Sequence, residues 1–335
     1  FLNQASALVN LQLDGSVQVS TAATEMGQGV NTKISQVVAE SLGVDSRQVK
    51  VMATSTEKTH NTSPTAASSG SDLNCGAALK ACDVLKVRLV GVAEKMLLGE
   101  TIDPYRDLDI SHVKLEDVQD WRFADQRMTF LKTGKSVALV DVLAIAYQNR
   151  ISLGAQAHFK TEGLGFDKSI WRGKAFNYFT MGAAVSEVEV DRYTGEVKVL
   201  RVDILMDIGR SMNPGIDRGQ VTGGFIQGMG WLTTEKIVHN QDGRVLTFSP
   251  TTYKIPNIQD TPRVFNVSFI ENLKTQNVYG SKAVGEPPLL LGTSVWLAIK
   301  DALHRLDKKS VVDIQAPATG EVVLFALESV RQGHK

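Results

Sequence analysis

Hydrophobic and polar positions alternate near the start of the chain. Val9, Leu11 and Leu13 are separated by polar residues, Asp14-Gly15 follows, and Val17 and Val19 resume the alternation. A period of two belongs to a strand with one buried face, and Asp-Gly tolerates the positive φ of a type I′ turn, so this stretch predicts a hairpin. After Met26-Gly27-Gln28-Gly29 the period changes. Ile34, Val37, Val38 and Leu42 then fall on one stripe at helical spacing, with Gly43 placed to stop the helix. A strand-like run follows at Val49–Met52. Ten of the eighteen residues from Thr54 to Ser71 are Ser or Thr, which predicts a loop. Behind it an apolar-periodic helix covers roughly Asp72–Leu98, and Ser136 is placed to cap another helix ending near Ala146.

The second half repeats the plan. Val188 and Val190 alternate, Tyr193-Thr194-Gly195 turns the chain, and Val197, Val199, Val202, Ile204 and Met206 extend a second strand. A glycine-rich stretch, from Gly219-Gln220 through Gly223-Gly224 to Gln227-Gly228-Met229-Gly230, reads as helical despite its glycines. Helical spacing returns at Val295, Leu297–Ile299, Ala302 and Leu306, and a last helix lies near Glu321–Val330 behind Pro317 and Thr319. Hairpin, Gly/Gln loop and helix thus occur twice. The pattern predicts an α+β architecture of two related lobes, one about 1–165 and the other about 166–335.

Composition narrows the function. The 335 residues are 43% apolar and carry 36 basic against 36 acidic side chains, so a core is affordable and the clustered positive charge of a nucleic-acid binder is missing. No apolar run reaches the roughly 18–20 residues of a membrane helix; Val87–Leu98 is broken by Arg88, Gly91, Glu94 and Lys95. The two cysteines, Cys75 and Cys82, exclude a disulfide scaffold or a Cys-rich metal site within this chain. Seven apart on one helix, they read as buried thiols. Trp171, Phe176 and Phe179 read as core. The histidines at 60, 112, 158, 239, 304 and 334 show no metal-binding spacing. These features predict a soluble chain of a reducing compartment, the cytoplasm. The opening Phe1-Leu2-Asn3-Gln4, without an initiator Met and already near a strand, suggests a fragment or processed subunit.

Four stretches could carry chemistry. In Met26-Gly27-Gln28-Gly29, the glycines let backbone N–H groups approach a ligand and Gln28 offers an amide; an ordinary hairpin-to-helix turn is the bland alternative. Thr62–Gly70 presents hydroxyls and N–H groups ahead of a long helix without the Gly-Lys-Ser/Thr of a P-loop, the alternative being a plain helix start. In Gly285-Glu286-Pro287-Pro288, a carboxylate on stiff backbone beside Leu289–Leu291 is placed for poor solvation, a raised pKa and general-base work; the alternative is a helix-capping Glu. Gln220 could give amide hydrogen bonds to a ligand, whereas Gln227 suits helix packing.

Together, six ordered segments resemble the molybdenum hydroxylase family of xanthine dehydrogenases and aldehyde oxidases. They are Phe1-Leu2-Asn3-Gln4-Ala5, Thr24-Glu25-Met26-Gly27-Gln28-Gly29, Asn61–Ser68, Met206-Asp207-Ile208-Gly209, Asn213–Asp217 with Gly219-Gln220-Val221, and Ser281-Lys282-Ala283-Val284-Gly285-Glu286-Pro287-Pro288. The resemblance implies that residues 1–335 are the C-terminal half of a molybdenum-cofactor-binding domain. It implies that Glu286 is the general base for oxygen attack on an electron-poor carbon, and that Met26, Gly27, Gln28, Ala66, Ala67, Ser68 and Gln220 line the molybdenum–molybdopterin cofactor. Ala66 and Ala67 would also form part of the substrate floor, and the metal would be held by the pterin dithiolene rather than by protein.

At position 70 the family commonly has a Ser facing the phosphate, whereas Gly70 offers only its N–H. The implied activity is hydroxylation of purines, hypoxanthine and xanthine to urate, in purine catabolism. An aldehyde or nicotinate-type hydroxylase is the alternative within the class, and a cofactor-free scaffold the alternative outside it. The resemblance further implies partners: the N-terminal half of the molybdenum domain, 2Fe-2S and FAD domains or subunits, and a dimer of assemblies. The chain alone is then expected to be inactive.

Overall fold

The computed structural model describes residues 3–59, 61–104, 106–272, 275–306, 308 and 312–332. Phe1, Leu2, His60 and His334, named above, lie outside them. The chain divides into two compact units, 1–177 and 178–335, a boundary later than the one near 165 that the sequence pattern suggests.

The first unit opens with the hairpin β1 (Gln4–Leu11) and β2 (Val17–Thr21). Val9 and Leu11 face the core with Val17 and Val19, but Leu13 is exposed in the turn. That turn is not type I′. Gly15 N donates to Gln12 O at 3.0 Å and Gln12 N to Ser16 O at 2.8 Å, and only Gly15 carries a positive φ, +82°. Asp14 instead accepts from Ser16 N and Ser16 Oγ through its carboxylate, which favours a longer loop. Helix α1 (Val30–Leu42) buries Ile34, Val37, Val38 and Leu42 and ends at left-handed Gly43, as its stripe predicts. β3 (Val49–Val51) then pairs parallel to β2.

Helix α2 (Gly70–Leu97) buries Cys75, Cys82, Leu85 and Leu89 among many small residues. Gly76 makes room for a ring, since a Cβ there would sit 2.9 Å from Phe159. A small antiparallel sheet follows, β4 (Trp121–Ala124), β5 (Arg127–Phe130) and β6 (Ser136–Ala138). Ser136 is therefore a strand residue accepting from the Arg127 guanidinium, and not a helix cap; α3 (Leu139–Gln148) starts from Ala138. β7 (Gly154–Lys160) returns antiparallel to β1, giving the sheet order β3-β2-β1-β7. The ribbon β8 (Gly165–Asp167) and β9 (Arg172–Lys174) follows. Trp171, at a positive φ in that ribbon's turn, is 78% exposed, and Phe176 and Phe179 beyond it are exposed as well, so none of the three is core. Trp171 meets only the edge of Phe166 among the described ring pairs.

The second unit pairs β10 (Gly182–Val190) antiparallel with β11 (Val197–Asp207). Helix α4 (Pro214–Thr233) leads to β12 (Val264–Ile270), which lies parallel to β11. Helices α5 (Thr293–His304) and α6 (Gly320–Gln332) complete a core built on Val202, Ile204, Met206, Phe225, Val295, Ile299 and Leu327. Hairpin, helix, a strand parallel to the second hairpin strand, and a further helix thus recur in both units. Among the described residues no helix is long and apolar enough to cross a membrane.

Candidate active site

The sequence-predicted residues fall into two sets, one in each unit. In the first unit, the loop 24–29 folds upon itself. Gln28 Nε2 donates to Thr24 O at 2.8 Å, while its Oε1 accepts from Met26 N at 2.5 Å. The N–H groups of this loop have a partner that the sequence reading gave no role: Glu25. Its Oε1 accepts from Gly27 N and Gly29 N, each at 2.9 Å, and its Oε2 from Asn31 N at 3.0 Å. Desolvation opposes ionisation of this carboxyl, but the backbone donors outweigh it and hold Glu25 below the ordinary Glu value. The start of α1 is thereby closed by the protein's own carboxylate, leaving Met26 and Gly27 exposed at the tip.

The second loop lies against the first. Thr24 N donates to Thr65 Oγ1 at 2.9 Å. Ala67 and Ser68 both adopt left-handed backbone, φ 55° and 53°, a conformation unfavourable for residues with a Cβ. Such strain persists where the surroundings impose it, and here the pair stands directly before α2 with Ala66 and Ala67 exposed. Ser69, the N-cap residue, makes no side-chain cap; its hydroxyl donates to Ala66 O at 3.0 Å. At Gly70 a Cβ would meet Thr65 Cγ2 at 3.5 Å and Val30 Cγ2 at 3.7 Å, ordinary contact distances, so a serine fits.

In the second unit, Glu286 precedes the 3-10 turn Pro287–Gly292 and makes no side-chain cap to it, which removes the capping alternative. The turn packs on α4, and the glycines of α4 explain how. A Cβ on Gly224 would lie 3.2 Å from Gly285 O, and one on Gly228 1.9 Å from Leu289 O. Gln220 is one helical turn ahead of Gly224 on the same side of α4. Gln220 thus lies on the side of the helix that meets the 285–292 segment. The expected poor solvation of Glu286 is not met: the residue is exposed in this chain.

Upstream of Glu286, a charged pair is buried. Lys282 Nζ lies 2.6 Å from Asp207 Oδ2, with side chains 4% and 3% exposed. Asn272 Nδ2 and Gly209 N also donate to Asp207, at 2.8 and 2.9 Å. Desolvation pushes the Asp207 carboxyl up, but Lys282 and these donors prevail and hold it below the ordinary value. No local signal could reveal this pair, whose members are 75 residues apart. Glu25 did leave one, a carboxylate two, four and six residues before N–H groups at a helix start. Among the described residues no group of three or more His, Cys, Asp or Glu could hold a metal ion.

A strained small-residue turn stands before one helix, a self-capped Gly-Gln-Gly loop before another, and a carboxylate on a segment packed against the glycines of α4. Residues 1–262 match the molybdopterin cofactor-binding domain family, and the chain belongs to it. Among curated relatives it is 39% identical over 328 residues to the xanthine dehydrogenase of Dictyostelium discoideum and 39% identical over 326 residues to the xanthine dehydrogenase/oxidase of Gallus gallus. Each alignment covers 96% of this chain and 21% of the relative, so the chain spans about a fifth of their length. The fold is that of quinoline 2-oxidoreductase from Pseudomonas putida 86, with a TM-score of 0.81 and 24% identity over 97% of this chain and 38% of that one. The Cu,Mo-CO dehydrogenase gives a TM-score of 0.77 at 20% identity, over 98% of this chain and 38% of that one.

Proposed function

We propose that this chain forms one wall of the cofactor cleft, and supplies the general base, of a molybdenum-dependent hydroxylase acting on purines, converting hypoxanthine and xanthine to urate. The carrying observation is Glu286, whose carboxylate makes no side-chain cap to the 3-10 turn it precedes, held on a segment that packs on the helix carrying Gln220, in a chain 39% identical to xanthine dehydrogenases. The residues suit a pterin in shape and charge: Met26 and Gly27 form an exposed loop tip whose N–H groups are taken by Gln28 and Glu25, the left-handed Ala67-Ser68 turn stands ahead of α2 with Ala67 exposed, and Gln220 adds a neutral amide, with no protein ligand set needed for the metal. When bound, the molybdenum–molybdopterin group supplies the two-electron oxidation.

Glu286 takes the proton from the attacking oxygen, a transfer that needs a carboxylate with a basicity near the working pH. Ala66 and Ala67 leave room for a flat ring, and Ser68 and Gly70 would hold the cofactor's polar groups. The N-terminal half of the molybdenum domain, iron–sulfur and FAD segments or subunits, and a dimeric cytoplasmic assembly complete the reading.

The test is Glu286→Gln in the assembled enzyme. Turnover of hypoxanthine falls by about two to four orders of magnitude with bound molybdenum unchanged; near-normal turnover refutes the assignment. Comparing hypoxanthine with an aromatic aldehyde as substrates decides between the purine and the aldehyde hydroxylase.

A further inference from the structure

We infer that the buried Lys282–Asp207 pair positions the Glu286 carboxylate by fixing the backbone that leads to it, an inference that rests on Glu286 being the general base. The pair sits where two stretches of chain are laced. Lys282 N donates to Ile208 O at 2.9 Å and Arg210 N to Gly280 O at 2.8 Å, and Gly209 bridges to Ser281. At Gly209, φ is +65° and a Cβ would fall 2.2 Å from Gly280 O, so only glycine permits this approach. Lys282 Nζ donates to Asp207 and to Phe179 O at 2.9 Å, and Asp207 takes two further donors.

From Lys282 to Glu286 every intervening residue is held. Ala283 N donates to the Tyr178 hydroxyl at 2.9 Å, Val284 is buried, and Gly285 O rests on Gly224. Beyond Glu286 the ring of Pro287 fixes φ and Pro288 is buried. The carboxylate is thus an exposed side chain on a clamped backbone. A buried ion pair is a poor device for stability alone, since apolar residues of similar volume often replace it without loss. It is a good device for register: a buried ammonium has one carboxylate to meet, and an error in the 280–282 pairing leaves both charges unpaired. Lys282 and Asp207 touch no reacting group in this scheme and act only through the loop.

The test uses the assembled, cofactor-loaded enzyme with the double substitution Asp207→Leu/Lys282→Met, alongside Glu286→Gln. Molybdenum content and melting temperature stay near wild type. Amide hydrogen exchange across 283–286 quickens by about tenfold. Turnover of hypoxanthine per molybdenum falls by about a hundredfold while KM stays within about twofold, the loss expected from slight misplacement of a base. A purely stabilising pair would instead lower the melting temperature and leave turnover per loaded site intact. A folded, loaded double variant with wild-type turnover and exchange overturns the inference. Should that variant not accumulate, Asp207→Glu keeps the charge and displaces the loop by about one methylene, with turnover lowered by about tenfold and KM unchanged; unchanged turnover overturns the inference equally. An active Glu286→Gln enzyme sinks the general-base reading itself, whereas an inactive one beside an active double variant sinks the positioning role alone.

Discussion

Glu25 shows how much one carboxylate can organise. It satisfies three backbone donors around the start of α1, the groups that a helix leaves unpaired. Glu25→Ala is expected to cost about 1 kcal/mol, the usual price of a lost helix cap, and to loosen cofactor retention; thermal melting and molybdenum analysis of the assembled enzyme check both. Asp207 sets an acid limit. Its folded-state value is depressed, so its contribution to stability is complete above the unfolded value of about 4 and is lost as pH falls through the lower folded value. The melting temperature of the second unit should therefore drop on acidification below about pH 4, and Asp207→Asn should remove that dependence while costing about 3–5 kcal/mol through the stranded lysine. The two thiols are silent by contrast. Desolvation pushes Cys75 and Cys82 up to about 12, so neither should react with a thiol reagent at pH 8 until the chain is unfolded.

At the scale of elements, α4 separates two uses of glycine that look alike in sequence. Gly223 faces open space, with nothing within 4 Å of a Cβ, so Gly223→Ala is expected to stabilise the helix by up to about 1 kcal/mol. Gly228 faces a carbonyl oxygen 1.9 Å from a Cβ, so Gly228→Ala forces the seam apart, costs about 1–3 kcal/mol and lowers turnover. Chemical denaturation of the two variants, opposite in sign, checks the assignment. The same contrast marks what the sequence could convey. Helix α1 was legible because its stripe and its stop at Gly43 are both local. The strands β4, β5 and β6 were not, being three or four residues each with little alternation, and Ser136 looked like a cap because its strand is so short. Trp171, Phe176 and Phe179 read as core on chemistry alone and are exposed, because hydrophobicity does not say whether a position is buried.

For the molecule as a whole, the recurrence of hairpin, helix, parallel strand and helix in each unit accounts for a repeat visible in hydrophobic pattern but not in residue identity. Backbone pairing conserves a topology under many sequences; the long-range partners, β7 with β1 and Lys282 with Asp207, carry no local trace. The candidate residues of each loop could be named from their motifs and Glu25 left a local trace in its spacing, whereas the buried pair emerged only from geometry. The chain covers about a fifth of the length of its curated relatives. Purified by itself, the chain is expected to hold no stoichiometric molybdenum and to leave hypoxanthine unchanged. Elemental analysis and a turnover assay, with and without the complementary half, check this, and stoichiometric metal in the lone chain would argue against a shared cleft.

The seam between α4 and residues 285–292 has one more consequence. Because main chain meets main chain there, no rotamer can absorb a misfit. Adding a single residue to α4 between Gln220 and Gly224 would turn one end of the helix by about 100° against the other. Gln220 would then leave the side of α4 on which Gly224 and Gly228 meet residues 285–289, though each group remained intact. The spacing along α4 thus works as a ruler for the seam, and in the proposed site the distance it keeps matters as much as the groups at either end.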